Sequence, residues 1–156
     1  TDGRPATRRA MEDAHEHLVL FDLALDYAKT PRLGLARADQ CGTGAFRTVC
    51  ATLGLAGFQC SPLDDVAGLV VLRLNAMLVN EAADAVAYGI CSADAIDVAM
   101  RYGVNYPRGP MEWSEQVGLH VFARALANLR EHYGEERYRT SALITRKGYT
   151  GAGFHG

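Results

Sequence analysis

The hydrophobic pattern changes character near Asp64. Upstream, apolar residues come in short groups. His17 to Leu25 is apolar-rich and fits a strand, although the spacing of Leu18, Phe21 and Leu25 also fits a helix. Thr30-Pro31 stops what precedes it, because proline lacks an amide donor and pushes its predecessor out of helical backbone. Arg32 to Ala38 sets Leu33 and Leu35 against small or charged residues, as a short strand does. Thr43 is placed to cap a helix over Gly44 to Leu55, stopped by Gly54 and Gly57. Phe58-Gln59-Cys60 then reads as a returning strand. The order β, β, α, β predicts a small α/β unit over 15–63, too short for a complete nucleotide domain. Residues 1–14 hold Arg4, Arg8 and Arg9 and no apolar stretch, and are expected to be a loose tail.

Downstream, 64–156 reads as a helical domain. A long helix is expected from about Val66 to Tyr88, apolar nearly all round in its first half and therefore central, with Gly89 just past its end. Ser92 suits the N-cap of a second helix, Asp94 its first turn, and Gly103 its end, with Ile96, Ala99 and Met100 on one face. Pro110 suits the first turn of a short helix. Leu119 to Tyr133 places Val121, Phe122, Leu126 and Leu129 at helical spacing and stops at Gly134; a last helix spans Thr140 to Lys147.

Bulk properties narrow the classes. The chain has 156 residues, 49% hydrophobic and 22% charged, with a net charge of −2. Near-neutral charge gives no electrostatic reason to expect nucleic acid as a partner. No apolar run reaches the roughly 18–20 residues that cross a bilayer; the best, Val66 to Leu72, is closed by Arg73. Cys41, Cys50, Cys60 and Cys91 show no C-x-x-C spacing and read as free thiols in a reducing compartment, so a cytoplasmic location is expected.

Local chemistry is sparse. Gly42-Thr43-Gly44 after a strand has the form of a dinucleotide-binding turn, and Asp64 falls 20 residues after Gly44. Arg47 occupies the third glycine position, so the pair is better read as a turn. His15 and His17 flank Glu16, but nothing at ligand spacing completes a metal site. His120 and His132 stand 12 residues apart, and His155 lies in a glycine-rich stretch. Asn105-Tyr106-Pro107-Arg108-Gly109-Pro110 is a stiff loop that either positions side chains or joins two helices at a sharp angle.

Taken in order, Asp65-Val-Ala-Gly68-Leu-Val-Val-Leu72-Arg73-Leu74, Asn80-Glu81-Ala82, Gly89, Ala95-Ile96-Asp97-Val-Ala99-Met100 and Gly103-Val-Asn-Tyr-Pro107-Arg-Gly109-Pro110 resemble the C-terminal helical domain of 3-hydroxyacyl-CoA dehydrogenases. Arg146-Lys147-Gly148 to Phe154-His155 looks like that family's closing segment, with His155 where Tyr is usual. Ala76 to Val86, Gly103 to Pro110 and Glu136-Arg-Tyr-Arg139 look most like the second, degenerate copy of that domain in bacterial 3-hydroxyadipyl-CoA dehydrogenase-like enzymes.

The resemblance implies a mainly α fold, 6-phosphogluconate dehydrogenase C-terminal-like, preceded by a remnant of a Rossmann domain. It implies a parent oxidoreductase that uses NAD to convert 3-hydroxyacyl-CoA to 3-ketoacyl-CoA, in fatty-acid β-oxidation or phenylacetate degradation. The family's catalytic His and Glu lie in a nucleotide-binding domain that the matched segments do not include. Leu72 stands where the family has an active-site Asn, and Leu neither donates nor accepts a hydrogen bond. The fragment is therefore expected to be inactive, with no catalytic residue and no cofactor or metal of its own. Arg73, Asn105, Tyr106, Pro107, Gly109 and Pro110 are the substrate-cleft candidates. Expected partners are the parent's upstream NAD-binding and helical domains, acyl-CoA through the parent, and a paired helical domain or homodimer. The alternative is a pairing module that touches no ligand.

Overall fold

The computed structural model describes residues 1–24 and 26–155, and the chain divides into two compact units, Thr1–Arg73 and Leu74–Gly156. The first contains α1 (Ala6–Glu12), β1 (Val19–Phe21), β2 (Arg32–Arg37), α2 (Thr43–Leu55) and β3 (Gln59–Pro62). The strands form one sheet in the order β1-β2-β3. β1 runs antiparallel to β2, with Leu20 opposite Ala36; β2 runs parallel to β3, with Leu33 opposite Cys60. A parallel pair needs a crossover, which α2 supplies. β2 buries Leu33 and Leu35 and exposes Arg32 and Arg37, the alternation seen in the sequence. The core is built from Leu20, Ala36, Ala38, Cys41 and Leu69 with Ala6 and Ala10. α2 buries no residue fully.

Three expectations change here. Residues 1–14 are not a loose tail: α1 buries Ala6 and Ala10. Asp65 accepts from the amides of Ala6 at 2.5 Å and Thr7 at 2.7 Å, two of the donors that a helix start leaves unpaired. Its arginines are paired rather than simply solvated, Arg4 with Asp2 at 2.7 Å and Glu12 at 2.6 Å, Arg8 with Glu12 at 2.6 Å and Arg9 with Asp13 at 3.0 Å. Thr43 does not cap α2. It is already helical, and Gly42 takes the extended cap conformation. The segment from His17 forms a strand only over Val19–Phe21, and Leu25 lies outside the described residues.

The chain then turns through Gly68 (φ +77) and Leu69 (φ +52) before α3 (Val71–Ala87) begins, five residues later than periodicity suggested. The start of α3 is one-sided rather than buried all round: Leu72 is 1% exposed, but Leu74 is 50% exposed. α3 leads into α4 (Ala93–Gly103), α5 (Pro110–Val117), α6 (Leu119–Tyr133), a 3-10 turn at Glu136–Tyr138 and α7 (Ala142–Thr150). After α3, Gly89 takes left-handed backbone, and the Ile90 amide donates to the Ala85 carbonyl at 3.0 Å, a helix stop that favours glycine. Ser92 caps α4 by accepting from the Ala95 amide at 3.2 Å. The buried face of α4 is Ala93 and Asp97, with Ile96 and Met100 half-buried; Ala99, expected inside, is exposed. α7 begins two residues later than expected, behind a Ser141 cap, and continues through Gly148. The second unit buries Met111, Trp113, Phe122, Leu126, Leu129, Tyr138 and Ile144.

Candidate functional site

The α4–α5 loop is built around Asp97. Its carboxylate is 2% exposed as a residue and accepts from the amides of Met111 and Glu112, each at 2.9 Å. Those are free donors at the start of α5, where the helix dipole also favours a negative charge. Gly109, the residue before α5, passes against this carboxylate, and an added Cβ would overlap Asp97. Pro110 occupies the first turn, where its missing donor costs nothing. Asn105 adopts left-handed backbone (φ +58), and the Tyr106 amide donates to the Met100 carbonyl at 3.1 Å. The loop is thereby fixed at both ends.

Within the candidate set, Asn105 and Pro107 are exposed and Tyr106 is half-buried, so these can meet a ligand. Gly109 and Pro110 are buried and serve the turn itself. Arg73 is half-buried in the first turn of α3 and belongs to the first unit, whereas the loop belongs to the second. The Leu72 side chain is buried, and its amide donates to Asp22 Oδ1 at 3.1 Å.

Asp22 was not apparent in the sequence. It is 3% exposed, and Oδ2 also accepts from the amides of Val70 at 2.9 Å and Val71 at 2.7 Å. One carboxylate from the end of β1 thus caps α3. Asn80 is likewise structural: its side-chain amide donates to the Arg139 carbonyl and accepts from the Ser141 amide, both at 2.8 Å. Arg139 pairs with Asp84 at 2.7 Å. Glu81, beside Asn80 in the same motif, is exposed.

His155, noted in the sequence only as a substitute for Tyr, proves to be held by two carboxylates. Its Nδ1 lies 3.2 Å from Glu115 Oε1 and its Nε2 lies 3.1 Å from Asp97 Oδ2. Burial lowers the His155 pKa, but the bond to Glu115 and the charges of Glu115, Asp97 and Asp94 outweigh it and raise the pKa above its ordinary 6.5. Burial raises Glu115, but bonds from the His155 and Phe154 amides and the imidazole outweigh it and bring Glu115 below 4.5. Close by is a cavity of about 470 Å³ lined by Gly118, Leu119, His120, Lys147, Gly153 and Phe154 among others.

His15 and His17 are exposed, and among the described residues no group of three or more His, Cys, Asp or Glu is placed to hold a metal. All four cysteines are free. A dinucleotide does not fit the residues present. The third glycine position is Arg47, and the sheet has one parallel pair.

Comparison with known proteins agrees with this division. Residues 1–66 match a family model described as the 3-hydroxybutyryl-CoA dehydrogenase reduced Rossmann-fold domain, and residues 68–152 match the 3-hydroxyacyl-CoA dehydrogenase C-terminal domain. The chain belongs to the 3-hydroxyacyl-CoA dehydrogenase family. Within that family, it is 46% identical over 90 residues to 3-hydroxyadipyl-CoA dehydrogenase of Escherichia coli, covering 58% of this chain and 19% of that protein. It is 30% identical over 100 residues to a 3-hydroxybutyryl-CoA dehydrogenase of Bradyrhizobium diazoefficiens, covering 64% of this chain and 33% of that one. The crystal structure of an Escherichia coli 3-hydroxybutyryl-CoA dehydrogenase superposes with a TM-score of 0.89 at 35% identity, over 96% of this chain and 31% of that chain. The chain therefore spans a third or less of these relatives. The expected mainly α family fold with a reduced Rossmann unit in front is borne out.

Proposed function

We propose that the chain is the C-terminal part of an NAD-dependent dehydrogenase that interconverts 3-hydroxyacyl-CoA and 3-ketoacyl-CoA, and that it is the second, non-catalytic helical copy. The observation that supports this best is the use of the motif residues. Asp97, Gly109, Pro110 and Asn80 are engaged in holding helix starts and turns, and Leu72 is packed away. Hydride transfer belongs to domains outside these 156 residues, with NAD supplied by the parent's nucleotide domain. This chain contributes scaffold, a pairing surface and, through Asn105, Tyr106 and Pro107, part of a cleft wall. Relatives named for 3-hydroxyadipyl-CoA and 3-hydroxybutyryl-CoA suggest a short acyl chain, in β-oxidation or phenylacetate degradation. No helix among the described residues is long and apolar enough to cross a membrane, and the proposed location is the cytoplasm. The longer parent is expected to turn over acetoacetyl-CoA with NADH; a silent parent overturns the enzymatic reading.

A second reading, a pairing module without ligand contact, is favoured by one feature. Val98, Tyr102 and Val104 are 51%, 84% and 58% exposed along and just beyond α4, an apolar strip that a partner helix would cover. Asn105→Ala with Tyr106→Ala in the parent separates the two. A raised KM with intact assembly supports the cleft wall, and an unchanged KM with weakened assembly supports pairing alone.

A further inference from the structure

The second unit gathers an unusual set of contacts on residues 151–155. Gly151 takes left-handed backbone (φ +67) and ends α7. Gly153 runs so close to Glu115 that an added Cβ would lie 2.5 Å from Oε1. The amides of Phe154 and His155 both donate to that oxygen, the latter at 3.0 Å. The His155 imidazole then reaches Glu115 with one nitrogen and Asp97 with the other, at 3.2 and 3.1 Å, with Asp94 at 3.6 Å. The charged groups around it are Asp94, Asp97 and Arg101 from α4 and Glu112 and Glu115 from α5. Arg101 is turned to Glu112 at 3.1 Å, so the imidazole faces carboxylates.

A neutral imidazole carries one N–H and one lone pair. In either tautomer the lone pair would point at a carboxylate, so only the imidazolium satisfies both contacts. Gly151 to Phe154 of the same stretch line the 470 Å³ cavity together with Glu115, Gly118, Leu119, His120 and Lys147. We propose that residues 151–155 are a strap over this cavity, latched by protonated His155 and released when His155 loses its proton.

The sign follows from the raised pKa. The latch is fully made below His155's ordinary 6.5 and is lost as pH rises through the raised value. Glu115, held below 4.5, keeps its charge across the whole range in which His155 titrates, so the acidic limit of the latch is set by Glu115 and its upper limit by His155. Closed and open forms differ in affinity for the proton, so the latch weakens roughly tenfold for each pH unit by which the pKa is raised.

NMR of the full chain tests this, following the His155 ring nitrogens and the exchange protection of the Phe154 and His155 amides across the imidazole titration. The expected result is a His155 pKa above 6.5 and a fall in both protection factors at the same midpoint. His155→Gln should abolish the step, and Glu115→Gln should bring the His155 pKa back towards 6.5. A His155 pKa at or below 6.5, protection that does not change at the wild-type midpoint, or a step that survives in His155→Gln overturns the proposal. The wild-type titration decides even where a variant fails to fold.

Discussion

Among the described residues, the unit Thr1–Arg73 buries leucines (Leu20, Leu33, Leu35, Leu69, Leu72) and small residues such as Ala6, Ala10, Ala36, Ala38 and Cys41 but no aromatic, whereas Leu74–Gly156 buries Met111, Trp113, Phe122, Leu126, Leu129, Tyr138 and Ile144 besides its own alanines. Apolar stabilisation scales with area removed from water, so a core without aromatics gains less from its largest positions. The first unit compensates with polar ties of long sequence reach, Asp65 to the start of α1 and Asp22 to the start of α3. The second has such ties too, at Asp97, Asn80 and Glu115, but sets them beside a core of large side chains. A shrunken domain can thus keep its shape after losing ligand-binding apparatus, provided its buried carboxylates have helix starts to hold.

If core size decides sensitivity, the large buried side chains of the second unit carry the greatest losses. Phe122→Ala, which removes a fully buried ring packed edge-on to Trp113 at 6.5 Å, is expected to cost about 3–5 kcal/mol in urea unfolding. Asp22→Ala should cost about 2–3 kcal/mol and speed hydrogen exchange at Val70, Val71 and Leu72, because these amides at the start of α3 lose their side-chain acceptor. Equal exchange in wild type and variant would mean that the cap is dispensable. Gly109→Ala displaces the Asp97 carboxylate and should lower the melting temperature by an amount worth about 1–3 kcal/mol. Leu55→Ser, at 92% exposure on α2, should stay within about 0.5 kcal/mol of wild type. A larger loss would show that α2 is covered in solution.

Helices with local signals were readable from the sequence. Ser92, Gly103, Pro110, Gly134 and the Phe122–Leu126–Leu129 spacing each sit where a helix starts, stops or packs. The failures share one physical cause, partners far away in the chain. Asp22 caps amides 48 to 50 residues on, and no local pattern announces that. α1 was hidden because Ala6 and Ala10 are too small to register as an apolar stripe, while its arginines suggested a solvated tail. The late start of α3 rests on left-handed backbone at Leu69, a residue with no preference for it. Within the candidate loop, Gly109 packs against Asp97 and Pro110 opens α5, partners that the local sequence does not announce. The setting of His155 was not legible because its carboxylates come from α4 and α5, 40 or more residues earlier.

The role proposed for these residues is to scaffold a dehydrogenase without performing its chemistry. Assaying the isolated chain with acetoacetyl-CoA and NADH, alongside the longer parent at equal concentration, tests it most directly. The account predicts turnover by the parent and none by the chain alone. NADH oxidation by the chain alone, dependent on acetoacetyl-CoA, would contradict it.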